Sequence, residues 1–442
     1  MITLKKSRAV QSRAITLLCL GILSGIVSSC NNFLTAENPG AVEEQDVTDA
    51  KYAGLIANGP IYAFQLAHTD VAYWNAQFTD ELFNRAVFVE EGQIDRRELY
   101  SDMTYINAFI YAPLQRSRYL AEDATRRLKV ILGDSATRDL RVARSLAYAG
   151  YSYNYLGETM CVTPIDLGVP KSSEEIFTDA IARFQEAITV GTAARTFLQS
   201  LPTPNVNAIA AADSVRNFAL IGAARAALNK NDKAAALNFA GQVPGVFEFR
   251  AYYSDNTTGQ RNRTWERLTA GNNAYMLNTP FLAMAGDPRV PRVAGTTGRG
   301  TTPLSSPSYS TFNNTVAGAD FAAASSIRIA SALEAQYIIA EASGATAATL
   351  TFVNARRAAG LQAPVTLTGD ALLAELRDQR SRDFYLDNHR LGDLRRYQKY
   401  YSVDLFPTGP YPGSTSGAIY NSAVSCWPLP TNEINGNPNI PR

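Results

Sequence analysis

Asp134 to Tyr155 reads DSATRDLRVARSLAYAGYSYNY, and Leu140, Ala143, Ala147, Tyr148, Tyr151 and Tyr155 recur in it at three- and four-residue steps. That spacing puts them on one face of a helix. Moving outward, Ser172-Ser173-Glu174-Glu175 is a helix start, with a hydroxyl to cap the first turn and acids to meet its dipole. Ile176, Ala180, Phe184, Ala187 and Ile188 form the apolar stripe that follows. Asp213 to Leu228 and Lys233 to Val243 make a further helical pair across the turn Asn229-Lys230-Asn231-Asp232. Helical periodicity returns at Ser326 to Ala342, Leu350 to Ala359 and Gly369 to Asp387.

Two of these segments carry Ala-x-x-x-Phe, at Ala180 with Phe184 and at Ala235 with Phe239. A small residue lets one helix approach its partner while the aromatic fills the neighbouring gap, the device of tetratricopeptide repeats. The expected fold is therefore mainly α: one large helical domain built on degenerate tetratricopeptide-like helical hairpins with long irregular loops. Residues 245–326 interrupt the pattern. Tyr252, Tyr253, Trp265 and Tyr275 lie there among Asn, Thr, Gln, Gly and Arg, and Gly295 to Ser310 is a Gly/Thr/Ser/Pro run. So long a non-periodic insertion in a helical protein marks a functional or flexible segment. The tail after Leu405, rich in Pro, Gly and Ser, is expected to wrap the surface as ordered coil.

Composition bounds the function. The 442 residues carry 41 Lys plus Arg against 40 Asp plus Glu, a formal net charge of +1. A nucleic-acid binder needs a cationic surplus to displace counterions, so that class is excluded. With 46% hydrophobic residues, 22 Tyr and 19 Phe, the chain has ample material for a core. Only His68 and His389 are present, far apart in sequence, which excludes sites built on neighbouring His ligands.

At the N-terminus Lys5, Lys6, Arg8 and Arg13 precede the uncharged apolar run Ala14–Val27. This is a secretory signal, short for a comfortable membrane span. It ends in Val27-Ser28-Ser29-Cys30, which resembles a bacterial lipobox, so residues 1–29 are expected to be removed and Cys30 to be lipidated. With Cys19 lost and Cys30 acylated, Cys161 and Cys426 remain. They either pair, as thiols outside the cytoplasm do, or stay as separate buried hydrophobes.

No His-Glu-x-x-His, Gly-x-Ser-x-Gly or complete dinucleotide loop is present, the start at Gly298-x-Gly300 being spoiled by Pro303. No metal, cofactor or catalytic constellation is expected. Asp80-Glu81 and Glu90-Glu91 are the carboxylate pairs a glycosidase would need, but solvated helix faces explain such pairs better.

The last third is dense with signature. Glu334–Ala342 (EAQYIIAEA) is followed by Phe352–Leu361 (FVNARRAAGL), by Leu376–Tyr397 (LRDQRSRDFYLDNHRLGDLRRY) and by Pro428–Ile440 (PLPTNEINGNPNI). These four ordered blocks resemble the SusD/RagB family of nutrient-uptake outer-membrane lipoproteins, as does the start Cys30-Asn31-Asn32-Phe33-Leu34 through Asn38-Pro39-Gly40. Gln379 and Asp387-Asn388 stand where that family more often has Glu and Glu-Gly. The resemblance implies a single SusD-like domain over residues 30–442, lipid-anchored to the outer membrane and facing the cell surface. It also implies a lid on a SusC-type TonB-dependent transporter, receiving glycans or peptides and performing no catalysis. Within the third block Arg380, Arg382, Asp383, Asp387, Arg390, Asp393, Arg395 and Arg396 alternate in sign, enough for a partly buried guanidinium–carboxylate network that includes His389.

A glycan site pairs flat aromatic platforms with amide, carboxylate or guanidinium groups. Two stretches offer that mixture: Tyr73-Trp74-Asn75 with Asp80, Asn84 and Arg85, and Tyr252-Tyr253 through Arg263, Trp265, Asn272, Asn273 and Tyr275. In the first, Trp74 and Phe78 equally fit a helix core at i and i+4. The alternatives to a transporter-linked binding protein are a secreted helical glycan-cleaving enzyme and a peptide-binding repeat scaffold without a barrel partner.

Overall fold

Asp139 opens the helix that the quoted tyrosines predict, its carboxylate accepting the Arg141 N–H at 2.8 Å. The computed structural model describes residues 49–84, 88–269, 275–284, 286–290, 292–294, 305–307, 322–412 and 417–441. In chain order the main helices are α1 (Ala53–Phe78), α2 (Val89–Asp95), α3 (Ala112–Leu132), α4 (Leu140–Thr159), α5 (Ser173–Ser200), α6 (Val206–Asn229), α7 (Lys233–Ala240) and α8 (Arg263–Thr269). They continue as α9 (Ala332–Ser343), α10 (Ala347–Ala359), α11 (Gly369–Asp383) and α12 (Arg390–Tyr401). The fold is mainly α, and α3, α4, α5, α6 and α7 pack each on the next. The start of α5 is a capping box: Ser172 Oγ accepts the Glu175 N–H, and the Glu175 carboxylate accepts the Ser172 N–H at 2.8 Å.

Phe184 shows why these helices stack so closely. Its ring lies between Gly150 of α4 and Gly222 of α6, where a Cβ would come within 2.6 and 2.3 Å of ring atoms. Tyr151 meets the same ring edge-on at 5.0 Å. Polar side chains tie the layer: Tyr151 donates to the Phe218 carbonyl at 2.9 Å and Asn154 to that of Gly222 at 3.0 Å. The Ala180–Phe184 motif thus does what its spacing predicts, with glycines on both sides making the room.

Among the described residues six short strands accompany the helices: β1 (Leu82–Asn84), β2 (Glu248–Ala251), β3 (Tyr275–Leu277), β4 (Arg292–Ala294), β5 (Ser305–Pro307) and β6 (Ile327–Ser331). They pair antiparallel as β1–β3, β2–β6 and β4–β5. The helical periodicity expected from Ser326 is corrected here, because residues 327–331 are a strand and the helix begins only at Ala332. Ile327, Ile329 and Ala330 are fully buried beside β2, and Ser331 then caps α9 by accepting the Glu334 N–H at 3.2 Å. The β2–β6 pair joins the two ends of the insertion.

The C-terminal coil is tied to the helical body at the end of α4. Cys161 and Cys426 form a disulfide with Cα atoms 5.0 Å apart. Beside it the Cys161 N–H donates to the Trp427 carbonyl and the Trp427 N–H to that of Thr159, both at 2.9 Å. No helix among the described residues is long and apolar enough to cross a membrane. Cys30 lies outside the described residues.

Candidate functional site

The charges of the third sequence block are a framework rather than a site. Arg380 pairs with Asp393 at 2.7 Å, Arg390 with Asp80, and Arg396 with Glu341 and Asp393 at 2.7 and 2.8 Å. Arg328 reaches Asp387 at 2.8 Å, Arg225 grips Glu334, and Arg356 takes Asp383 at 2.6 Å. His389 sits between two carboxylates, Nδ1 at 2.7 Å from Asp387 and Nε2 at 3.2 Å from Glu334. Burial and the Arg225 charge pull its imidazole down, but Asp387 and Glu334 outweigh them and hold it above its ordinary value. The departures from the resembling family are absorbed here. Asn388 adopts φ 68°, the left-handed region where glycine is favoured and asparagine is tolerated. Its Oδ1 accepts Asn75 Nδ2 at 2.8 Å. Gln379 is buried, donating to Gln362 and Glu375 and accepting from Arg289.

The insertion builds the better candidate. From β2 the chain passes Tyr252, which is 68% exposed, and Tyr253, whose hydroxyl donates to the Gln65 carbonyl of α1 at 3.1 Å. Asn262, fully buried, then fixes the start of α8. Its Oδ1 accepts the Trp265 N–H at 3.1 Å, its Nδ2 donates to the Ser325 carbonyl at 2.8 Å, and its N–H donates to the Ala323 carbonyl at 2.8 Å. Thr69 of α1 meets the same turn by accepting the Arg263 N–H at 2.9 Å. Trp265 is thereby held partly exposed, with the Arg261 guanidinium 6.0 Å from its ring centre and Asp255 bound to Arg261 at 2.6 Å.

Behind this face, Arg267 lies over the rings of Trp74 and Phe109 at 5.2 Å each and is 3.6 Å from Glu91. Asp70 also faces α8. Burial lifts its carboxyl to about 6 against the opposing charges of Arg263 and Arg267.

The two stretches proposed from sequence thus come together, α1 against α8 and β1 against β3, but with unequal roles. Tyr73 and Trp74 are each 1% exposed and Asn75 3%, which corrects their assignment as ligand contacts. Asn75 serves the core by accepting Trp427 Nε1–H at 3.0 Å and donating to Thr159 and Asn388. Tyr253 is corrected for a similar reason, since it points inward to a backbone acceptor. Asp80 and Asn84 are buried as well. Arg85, Asn272 and Asn273 lie outside the described residues, as does the side chain of Tyr275. Tyr252 and Trp265 remain on the surface. Sequence reading missed Asn262 and Thr69; an Asn three residues before Trp265 is a helix-cap signal that was available.

The helical hairpins thus carry an insertion, clamped at β2–β6, that presents Tyr252 and Trp265. No protein-family model and no curated protein matches the chain. Solved structures do. A SusD superfamily protein from Bacteroides fragilis superposes with a TM-score of 0.62 at 13% identity, over 89% of this chain and 99% of that one. A SusD superfamily protein from Bacteroides vulgatus ATCC 8482 gives 0.62 at 15%, over 89% and 100%. A laminarin-binding SusD-like protein gives 0.62 at 13%, over 89% and 98%. The fold of this chain is the SusD-like fold.

Proposed function

We propose that this protein is a cell-surface glycan-binding lipoprotein that passes its ligand to a SusC-type TonB-dependent transporter. The observation that carries the reading is the Trp265 face, an aromatic ring held partly exposed by buried Asn262 beside Arg261 and Asp255, on a SusD-like fold. A ring of that kind stacks on the apolar C–H face of a sugar while the flanking ions take its hydroxyls. The similar structures support the ligand class, since one is described as laminarin-binding and another is surface glycan-binding protein A from Bacteroides uniformis. Lipidation at Cys30 supplies the anchor. Binding without cleavage is the role, because the buried carboxylates at Asp80 and Glu81 are engaged by Arg390 and by the Leu386 N–H.

Affinity electrophoresis against laminarin, starch, xylan and pectin, with reducing ends assayed in parallel, tests the reading. Retardation by at least one polysaccharide without release of reducing ends is expected. Release of reducing ends would establish the enzyme alternative, and no retardation by any of them would favour a peptide ligand.

A further inference from the structure

The C-terminal charge network leaves one arginine out. Arg395, on α12, has no carboxylate partner among the described residues. Its Nη1 donates to the carbonyls of Gly157, Glu158 and Met160 at 2.9, 2.7 and 3.0 Å, closing the end of α4, and its Nη2 donates to Ser173 Oγ at 3.1 Å. Burial pulls the guanidinium down to about 10, with Glu174 and Glu158 opposing. A charge held this way is short of counter-charge.

Arg395 lies in the wall of a cavity of about 150 Å³ between the end of α4, the start of α5 and α12. Lys399 and Tyr400 also line it, and both donate to the Glu174 carboxylate, Tyr400 at 3.0 Å. The Glu174 side chain is 34% exposed and that of Lys399 54%, so this trio sits toward solvent. Burial raises Glu158, whose carboxylate accepts Asn229 Nδ2 at 2.8 Å. Arg396 shares the wall but spends its charge on Glu341 and Asp393. The first turn of α5, a 28-residue helix, adds its positive end. The wall thus gathers cationic donors beside two tethered carboxylates, Glu174 held by Lys399 and Tyr400 and Glu158 held by Asn229.

We propose that this cavity is a binding site for a small oxyanion, a carboxylate or sulfate borne on a molecule about the size of one sugar ring, held by Arg395 and Lys399 with Glu174 as its built-in competitor. It shares no lining residue with the Trp265 face, so it stands or falls separately from the proposed function.

Calorimetric titration of the purified chain at fixed ionic strength, with glucuronate, sulfate and glucose in turn, tests it. Saturable binding of glucuronate, sulfate or both is expected, with none for glucose. Glucuronate alone identifies a carboxylate ligand; sulfate alone identifies a sulfate ester. Lys399→Gln removes one charged donor from the mouth and weakens binding about tenfold, whereas Glu174→Gln tightens it. Binding seen only in Glu174→Gln also supports the site. No saturable anion binding in either the wild type or Glu174→Gln overturns it, and so does unchanged affinity in Lys399→Gln. Arg395→Gln is avoided because it also uncaps α4.

Discussion

Glu81 is a carboxyl held inside the protein by a backbone hydrogen bond, its Oε1 accepting the Leu386 N–H at 2.7 Å. Burial lifts it to about 8, more than that hydrogen bond offsets. A native value above the unfolded one of about 4.3 means the folded state binds the proton more tightly. Its stabilising contribution is therefore complete below about pH 4 and is lost as pH rises through about 8. Glu81→Gln keeps an acceptor for Leu386 and removes the charge, so it should unfold at a higher temperature than the wild type at pH 9. The gap should close by pH 5, and a variant less stable at pH 9 would refute the buried, proton-binding assignment. None of this was readable from Asp80-Glu81 as a pair of adjacent acids. Sequence supplies the charges but not the enclosure that decides which of them ionises.

The hairpins were legible because helical spacing and capping act over a few residues. Ser172 caps its helix as its position announces; Asp139 and Asp232 cap theirs in the same way, although the first helix begins at Leu140 rather than near Asp134. Residues 327–331 (IRIAS) misled because Ile327, Ile329 and Ala330 are buried while Arg328 is drawn to Asp387, and five residues are too few for that pattern to stand apart from the helix that follows. Trp74 misled in a different way. It lies among Tyr73, Tyr105 and Phe109, rings brought together by tertiary packing from separate segments. Packing between elements also makes a prediction at Phe184. Replacing it with Ala empties the space between Gly150 and Gly222, and glycines cannot refill it. A loss of about 3–5 kcal/mol in denaturant unfolding is expected. A loss below about 1 kcal/mol would show that α4 and α6 collapse together without that ring.

From Ala50 onward the protein combines a helical body, a tail fastened by Cys161–Cys426 and an insertion clamped at β2–β6. Closing a loop of 265 residues by the disulfide constrains the unfolded chain, by about 5 kcal/mol as an upper bound in the chain-entropy model. Lipidation at Cys30 would hold this body at a membrane. Cys30→Ala should accordingly move the protein from the membrane to the soluble fraction, and persistent membrane association in cells lacking the transporter would contradict the anchor. The general helical design was legible in the chain; the candidate face was only half so, because Tyr252 is exposed and Trp265 partly so while Tyr73, Trp74 and Asn75 went to the core. The central claim is that the Trp265 face binds a glycan. Its most direct test is affinity electrophoresis of wild type and Trp265→Ala on whichever polysaccharide retards the wild type, with melting temperatures measured alongside. The account predicts that Trp265→Ala loses most of the retardation at nearly unchanged melting temperature. Full retention of binding, or a drop in stability on the scale of a buried tryptophan, about 3–5 kcal/mol, would contradict it.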